Sequence, residues 1–179
     1  STAYDVKGLL KTAIRDDNPV LFIEHQMLYV DRGYVPEGED YTIPFGVARI
    51  AKEGKDLTIV VYSNMVKNAT AAAEILEKED GVSVEIIDPR TLVPFDYDTV
   101  AKSVNKTGRA VVINQAPYTG SFASHISHEI QQRCFRNLKA PVRIVAAYDV
   151  PPPMSRPLEN ENIPSVERIL RNLREVLEY

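Results

Sequence analysis

Residues 57–87, LTIVVYSNMVKNATAAAEILEKEDGVSVEII, decide the fold of this chain. The stretch opens with an apolar run from Leu57 to Val61 and closes with another from Val82 to Ile87. The apolar residues between the two runs recur at helical spacing: Met65, Ala69, Ala72, Ala73 and Leu76. A strand, a helix and a strand in this order predict two parallel strands joined by a helical crossover.

The same alternation continues toward the C-terminus. Further strands are predicted at Ala110 to Ile113 and at Val142 to Ala146. Helical stripes separate or follow them, at Val100 and Val104, at Phe122, Ile126, Ile130 and Cys134, and at Val166, Ile169, Leu170, Leu173, Val176 and Leu177. Pro164 suits the first turn of the last helix. This alternation predicts a three-layer α/β/α domain with a mostly parallel sheet.

The first 45 residues follow a different pattern. Val6, Leu9, Leu10, Ala13 and Ile14 predict a short helix that stops at residues 16–19, because the residue before proline avoids helical geometry. The apolar run from 20 to 23 predicts a buried strand that ends at Glu24 and His25. Residues 26–44 lack periodicity and predict a linker, and Pro151 to Pro153 predict a stiff connector.

Composition excludes several classes of protein. The chain has 179 residues, a formal charge of −4 and a single cysteine, Cys134. Its charges are interspersed without a basic block, which disfavours nucleic acid as a partner. No apolar run approaches the roughly 20 residues that span a bilayer, and one cysteine cannot form an internal disulfide. A cytoplasmic protein is therefore expected, and the start at Ser1 suggests a fragment.

The chain carries few groups that indicate chemistry. It lacks the P-loop, GxGxxG, CxxC and GxSxG motifs, which disfavours an autonomous enzyme. His125 and His128 have a spacing that can hold a metal, but further ligands are missing and ordinary helix residues are the preferred interpretation. His25 is open between a site residue and a structural one, and Cys134 is expected to be a buried hydrophobe. Capping and turns account for the acids Asp88, Asp96, Asp98 and Asp149.

A resemblance to a known family rests on ordered motifs. They are Asp5 to Lys11 with Ala13 to Asp16, Asn18 through His25, Ile43 to Gly46, Ile87 to Asp96, Lys106 to Arg109, Ala140 to Arg143 and Asp149 to Pro151. Together they resemble the C-terminal part of the beta subunit of the thiamine-diphosphate-dependent decarboxylating component of pyruvate, branched-chain 2-oxo acid and acetoin dehydrogenases.

The resemblance implies a domain layout and a set of partners. Residues 1–45 would be the end of a pyrimidine-binding domain plus linker, and residues 46–179 a transketolase C-terminal-like domain. The catalytic glutamate and histidine of the family would lie upstream of Ser1, and an alpha subunit would hold the diphosphate and its magnesium. A second beta subunit and a lipoyl-acyltransferase core would be the other partners. This part of the chain would serve assembly and docking and would be inactive alone.

The resemblance also implies two sites in this chain. Potassium would be bound by the carbonyls of Ala13 and Ile14 and the side chains of Asp16 and Asn18, although a plain helix stop explains the same residues. The acyltransferase would dock near Tyr179 and Lys139, where the family often has an acid in place of the lysine. Gln115 likewise stands where relatives often carry glutamate. A free-standing, non-catalytic interaction or regulatory domain is the alternative.

Overall fold

The computed structural model describes residues 1–38 and 40–179. Its helices and strands follow in the order α1 Ala3–Arg15, β1 Arg49–Lys52, β2 Leu57–Val61, α2 Met65–Asp80, β3 Val84–Asp88, α3 Tyr97–Thr107, β4 Ala110–Pro117, α4 Phe122–Cys134, β5 Arg143–Ala147, α5 Arg156–Asn162 and α6 Val166–Leu177. Short 3-10 helices span Gln26–Leu28 and Phe135–Asn137. The strands form one sheet in the order β1-β3-β2-β4-β5, with β1 antiparallel to β3 and the other pairs parallel.

Two apolar layers cover the two faces of the sheet. Alternate residues of β2 point to opposite sides, so Ile59 packs with α2 and α6, whereas Val60 packs with α3 and α4. Both residues are fully buried, as is the predicted stripe of α2 around Ala69, Ala72 and Leu76. The predicted three-layer α/β/α fold is thereby confirmed. No helix in the described part of the chain combines the length and apolarity needed to cross a bilayer.

The four strands predicted after the linker and the last helix are confirmed, with ends that differ from the prediction by at most four residues. The prediction for Pro164 was wrong in detail. Ser165 is the N-cap of α6, and its hydroxyl accepts a hydrogen bond from the Arg168 N–H, so Pro164 precedes the helix. Its carbonyl accepts a hydrogen bond from the Asn68 side chain, which fixes the start of α6 against α2.

Two elements were not predicted. Strand β1 lies at an edge of the sheet, and none of its four residues is buried, so it carries no apolar run. Helix α5 buries none of its residues, and Leu158 is 60% exposed, so no apolar stripe marks it. Strand β1 forms because it pairs with β3, which local sequence does not encode. The three prolines before α5 lie outside helices and strands, as the connector prediction requires.

The predicted strand at residues 20–23 was wrong. Within residues 1–38 and 40–179, these residues pair with no strand, and the side chains of Leu21 and Ile23 are 87% and 78% exposed. An isolated strand leaves its backbone N–H and C=O groups unpaired, so an apolar run alone does not make one. The preceding helix α1 is confirmed and packs through Gly8, where a β-carbon would lie 2.6 Å from Ile43 Cγ1.

Candidate functional site

Four charged residues meet beside the antiparallel pairing of β1 and β3. The carboxylates of Asp5 and Asp88 are each 1% exposed. Arg49 contacts both, with its Nε 3.5 Å from Asp5 Oδ2 and its Nη2 3.2 Å from Asp88 Oδ2. Arg90 adds a contact of 3.4 Å from its Nη1 to Asp5 Oδ1. Two buried acids are thus balanced by two guanidinium groups, which ties α1 to the carboxyl end of β3.

The backbone at Arg90 is held in an unusual conformation by the same network. Its φ angle of 61° lies in the left-handed region, which residues with a β-carbon seldom adopt. Asp88 Oδ1 accepts a hydrogen bond of 3.1 Å from the Arg90 N–H, and Arg90 Nη2 donates to the Ala48 carbonyl at 3.3 Å. Every charge here has an opposite partner, so the cluster offers a fixed junction and no free general base.

His25 and Gln115 meet at the carboxyl end of β4. The His25 Nε2 lies 2.9 Å from Gln115 Oε1, although 90 positions separate the two residues. The neighbouring Asn114 is fully buried, and within the described residues its amide has no hydrogen-bond partner of normal geometry. Burial raises the pKa of Tyr62, and the approach of the Asn114 amide opposes that rise only in part. The sequence left open whether His25 is a functional-site residue or a structural one. Its contact with Gln115 gives it a structural role.

The four predicted potassium ligands lie at the end of α1 and in the turn that follows. Asp16 is the C-cap, and its Oδ1 accepts hydrogen bonds from the Asn18 N–H at 2.8 Å and from Asn18 Nδ2 at 3.0 Å. Those two hydrogen bonds lower the pKa of Asp16. The side chains of Asp16 and Asn18 are therefore together, and Ile14 beside them is 74% exposed. The same contacts are also expected at an ordinary helix end without a cation, which is the alternative that the sequence left open.

The two predicted docking residues both lie at the end of the sheet where the parallel strands β4 and β5 begin. The Lys139 N–H donates to the Gly108 carbonyl just before β4, at 2.7 Å, and the lysine stem packs over Gly108. Tyr179 is 72% exposed and borders a groove of about 320 Å³ that Pro141, Arg143, Glu175, Val176 and Glu178 complete. Arg143 is bonded to Glu175 and to Asn172 across this groove. Lys139 lies outside the groove lining.

The remaining candidate groups have ordinary contacts. The His125 ring packs against the rings of Tyr97 and Phe122. Burial raises the pKa of the Cys134 thiol, and Arg133 lowers it only in part, which keeps the thiol protonated and unreactive. Asp96 caps α3 by accepting from the Thr99 N–H at 3.0 Å, as predicted for a capping acid. Among the described residues, no group of three or more His, Cys, Asp or Glu could hold a metal ion.

Comparisons with known proteins show which family the chain belongs to. The family profile described as transketolase, C-terminal domain, matches residues 46–169. The beta subunit of the acetoin:2,6-dichlorophenolindophenol oxidoreductase of Cupriavidus necator is 48% identical over 99% of this chain and 52% of its own length. The beta subunit of the pyruvate dehydrogenase E1 component of Bacillus subtilis is 46% identical over 100% of this chain and 54% of its own length.

A third relative and a solved structure are also similar to this chain. The beta subunit of 2-oxoisovalerate dehydrogenase of Dictyostelium discoideum is 46% identical over 86% of this chain and 42% of its own length. A solved structure described as a split gene transketolase, inactive beta4 tetramer, is 25% identical, with a TM-score of 0.63 over 80% of this chain and 46% of its own. The chain thus spans about half the length of the relatives that it matches. It belongs to the transketolase C-terminal domain family and is similar over its full length to beta subunits of pyruvate and acetoin dehydrogenases.

Proposed function

We propose that this chain is the C-terminal part of the beta subunit of a 2-oxo acid dehydrogenase, and that it serves subunit assembly and docking. The whole enzyme would oxidatively decarboxylate a 2-oxo acid and transfer the acyl group to a lipoyl-acyltransferase. The observation that carries the proposal is identity of 46% to the beta subunit of a pyruvate dehydrogenase along the whole chain, and of 46% to that of a 2-oxoisovalerate dehydrogenase along 86% of it. The single buried thiol fits a reducing location, and we propose the cytoplasm.

We propose that residues 1–45 are the end of a pyrimidine-binding domain plus linker, and residues 46–179 the C-terminal domain. The exposed apolar side chains of the first part support this division. Val6, Leu10 and Ile14 of α1 are 40–74% exposed, and Leu21 and Ile23 are more exposed still. So many exposed apolar side chains on one short segment indicate a surface that is buried against another part of the protein or assembly. The half of the relatives that this chain does not span would supply that cover.

Thiamine diphosphate and magnesium would be held outside this chain, by the upstream half of the beta subunit and by the alpha subunit. Magnesium with a diphosphate requires carboxylate or other oxygen ligands that converge on one point. Within residues 1–38 and 40–179, the acids do not converge in this way. The buried acids Asp5 and Asp88 are already balanced by Arg49 and Arg90, and the equally buried Glu85 is paired with Lys106. The described acids therefore do not fit the magnesium of this cofactor, and no chemical step is assigned to the chain.

The assembly role has a direct test. The alpha subunit would be expressed with a beta subunit that consists of the upstream half and this chain, and with a matched beta subunit that lacks residues 46–179. We expect a heterotetramer of alpha and beta subunits that decarboxylates pyruvate or a branched-chain 2-oxo acid only when residues 46–179 are present. A truncated beta subunit that still assembles and turns over substrate would contradict the proposed role, and would favour an independent interaction domain.

The docking surface leads to a prediction about Tyr179 and Lys139. The Glu178 carboxylate just after α6 suits an arginine of the partner, because a guanidinium can bind a carboxylate with two parallel hydrogen bonds. Glu175 is already engaged by Arg143, so Glu178 is the acid left to offset Lys139. We expect removal of residues 178 and 179 to weaken binding of the acyltransferase subunit-binding domain about tenfold, and Lys139→Asp to strengthen it about threefold at low salt.

Calorimetry with the full assembly would measure both effects, and Lys102→Asp would serve as the charge control away from the groove. The gain from Lys139→Asp should shrink at high salt, because exposed charges are screened within about 8–10 Å at physiological ionic strength. Unchanged affinity after the truncation would place the docking surface elsewhere.

The proposed potassium site leads to a second prediction. In the whole assembly, potassium should raise the melting temperature by about 3 °C over sodium at equal ionic strength, since an ion that binds only the folded state stabilises it. Asp16→Ala should abolish the difference, because it removes the carboxylate that would face the ion. Asp17→Ala is the matched control and should retain the difference. If wild type melts identically in both salts, the turn is a helix stop and no cation site.

A further inference from the structure

Both ring nitrogens of His25 are engaged. Nε2 lies 2.9 Å from Gln115 Oε1 at the carboxyl end of β4. Nδ1 accepts a hydrogen bond of 3.2 Å from the Met27 N–H, and so caps the 3-10 helix Gln26–Leu28. One imidazole thus joins the crossing segment to the sheet and also fixes the first turn of that segment.

These contacts determine the protonation state of the ring. A backbone N–H can only donate, so Nδ1 must present a lone pair to Met27. A neutral imidazole has one N–H, which must then lie on Nε2 and donate to the Gln115 carbonyl oxygen. The opposite placement of the Gln115 amide would make both ring nitrogens acceptors, which a neutral imidazole does not allow. The geometry therefore requires the neutral ring.

A proton added to Nδ1 would remove the acceptor of the Met27 N–H and set two donors against each other. Neither hydrogen-bond partner of the ring, the Gln115 amide or the Met27 N–H, carries a charge that could offset the new one. Of the acids nearby in the chain, Glu24 accepts a hydrogen bond from the Tyr29 hydroxyl at 3.0 Å, and Asp31 is paired with Lys67 of α2. Among the described residues, no ion pair includes His25. Protonation should therefore break the cap while the Asp31 and Lys67 contact still holds the far end of the segment.

We propose that His25 is a proton-sensitive latch, which fastens the turn at residues 26–28 to the end of β4 when neutral and releases that turn when protonated. The latch lies between the exposed apolar segment at residues 20–23 and the sheet of the C-terminal domain. Its opening would alter how the first 30 residues are held against that domain. Histidine side chains in general change charge between about pH 5 and 8, which sets the pH range of the test.

The test is amide hydrogen exchange of Met27 in the 179-residue chain, corrected at each pH for the intrinsic exchange rate. Protection of this amide should fall at least about fivefold between pH 8 and pH 5, the factor expected for one lost hydrogen bond. His25→Asn keeps an acceptor two residues before Met27 but does not titrate, so its protection should not depend on pH. His128→Asn, which removes an exposed histidine elsewhere, should retain the wild-type pH dependence.

The variant Gln115→Glu tests whether the contact between His25 and residue 115 controls the pH dependence of Met27 protection or is only structural. A carboxylate beside Nε2 favours the charged ring, so the midpoint of the loss of protection should move to higher pH. Equal protection of Met27 at pH 5 and pH 8 in the wild type would overturn the proposal. A pH dependence that persists in His25→Asn, or an unchanged midpoint in Gln115→Glu, would overturn it as well.

Discussion

Gly54→Ala should destabilise the chain by about 3 kcal/mol, because a β-carbon at this position would overlap the backbone of β3. The connection from β1 to β2 passes over the start of β3, where Lys55 N–H and Asp56 N–H both donate to the Ser83 carbonyl. A β-carbon on Gly54 would lie 2.2 Å from Glu85 N and from the Val84 carbonyl carbon. Backbone atoms of a buried strand cannot move aside as the end of a flexible side chain can.

Urea denaturation of Gly54→Ala and of a matched control would measure this effect. Gly81→Ala is that control, since Gly81 has a φ of 68° and nothing lies within 4 Å of its β-carbon position. It should lose only about 1 kcal/mol, the conformational penalty of the left-handed region. Similar losses for the two variants would show that the crossing over β3 is looser than the structure indicates.

Asp88→Asn should cost about 3 kcal/mol of unfolding free energy, because it leaves a guanidinium short of a buried counter-charge. The change retains the size of the side chain and an oxygen that can still accept from the Arg90 N–H. It removes the negative charge that lies 3.2 Å from Arg49 Nη2, at a carboxylate that is 1% exposed. Asp40→Asn is the control, since Asp40 pairs with Lys11 and Arg15 at the surface and should matter little.

A double-mutant cycle isolates the charge interaction from other effects of the change. Asp88→Asn combined with Arg49→Gln should be less destabilised than the sum of the two single variants, because the second change removes the charge that the first left unpaired. Additive losses would mean that the two groups contribute separately and that the junction of α1 with β3 depends on other contacts.

The central part of the fold could be predicted because its strands are buried on both faces. Leu57 to Val61 form a continuous apolar run, and every residue of β2 is buried, so local sequence and tertiary structure agree. The stripe around Ala72 likewise matches a helix that packs on the sheet. Strand β1 was not predicted because it is an edge strand with polar residues. Such a strand forms through pairing with its neighbour, here β3, in which Asp88 lies opposite Arg49.

The site contacts could be predicted only in part. Capping by Asp96 and the turn of Asp16 with Asn18 are local, so the sequence indicates them. The pairing of Asp5 with Arg90 joins positions 85 residues apart, and that of His25 with Gln115 joins positions 90 apart. No periodicity relates such residues, and only the completed fold brings them together. The error at residues 20–23 has the same origin, since an apolar run is a strand only where a partner strand lies beside it.

The measurement that tests the proposed function most directly is a calorimetric titration of thiamine diphosphate with magnesium. The titration would be made into the isolated 179-residue chain and, in parallel, into an assembly of this chain with the upstream half of the beta subunit and the alpha subunit. We expect no binding to the isolated chain and micromolar binding to the assembly, because the buried acids Asp5 and Asp88 are paired with arginines and no group of three or more His, Cys, Asp or Glu among the described residues could hold the metal. Micromolar binding to the isolated chain would contradict the proposal that the cofactor is held outside it.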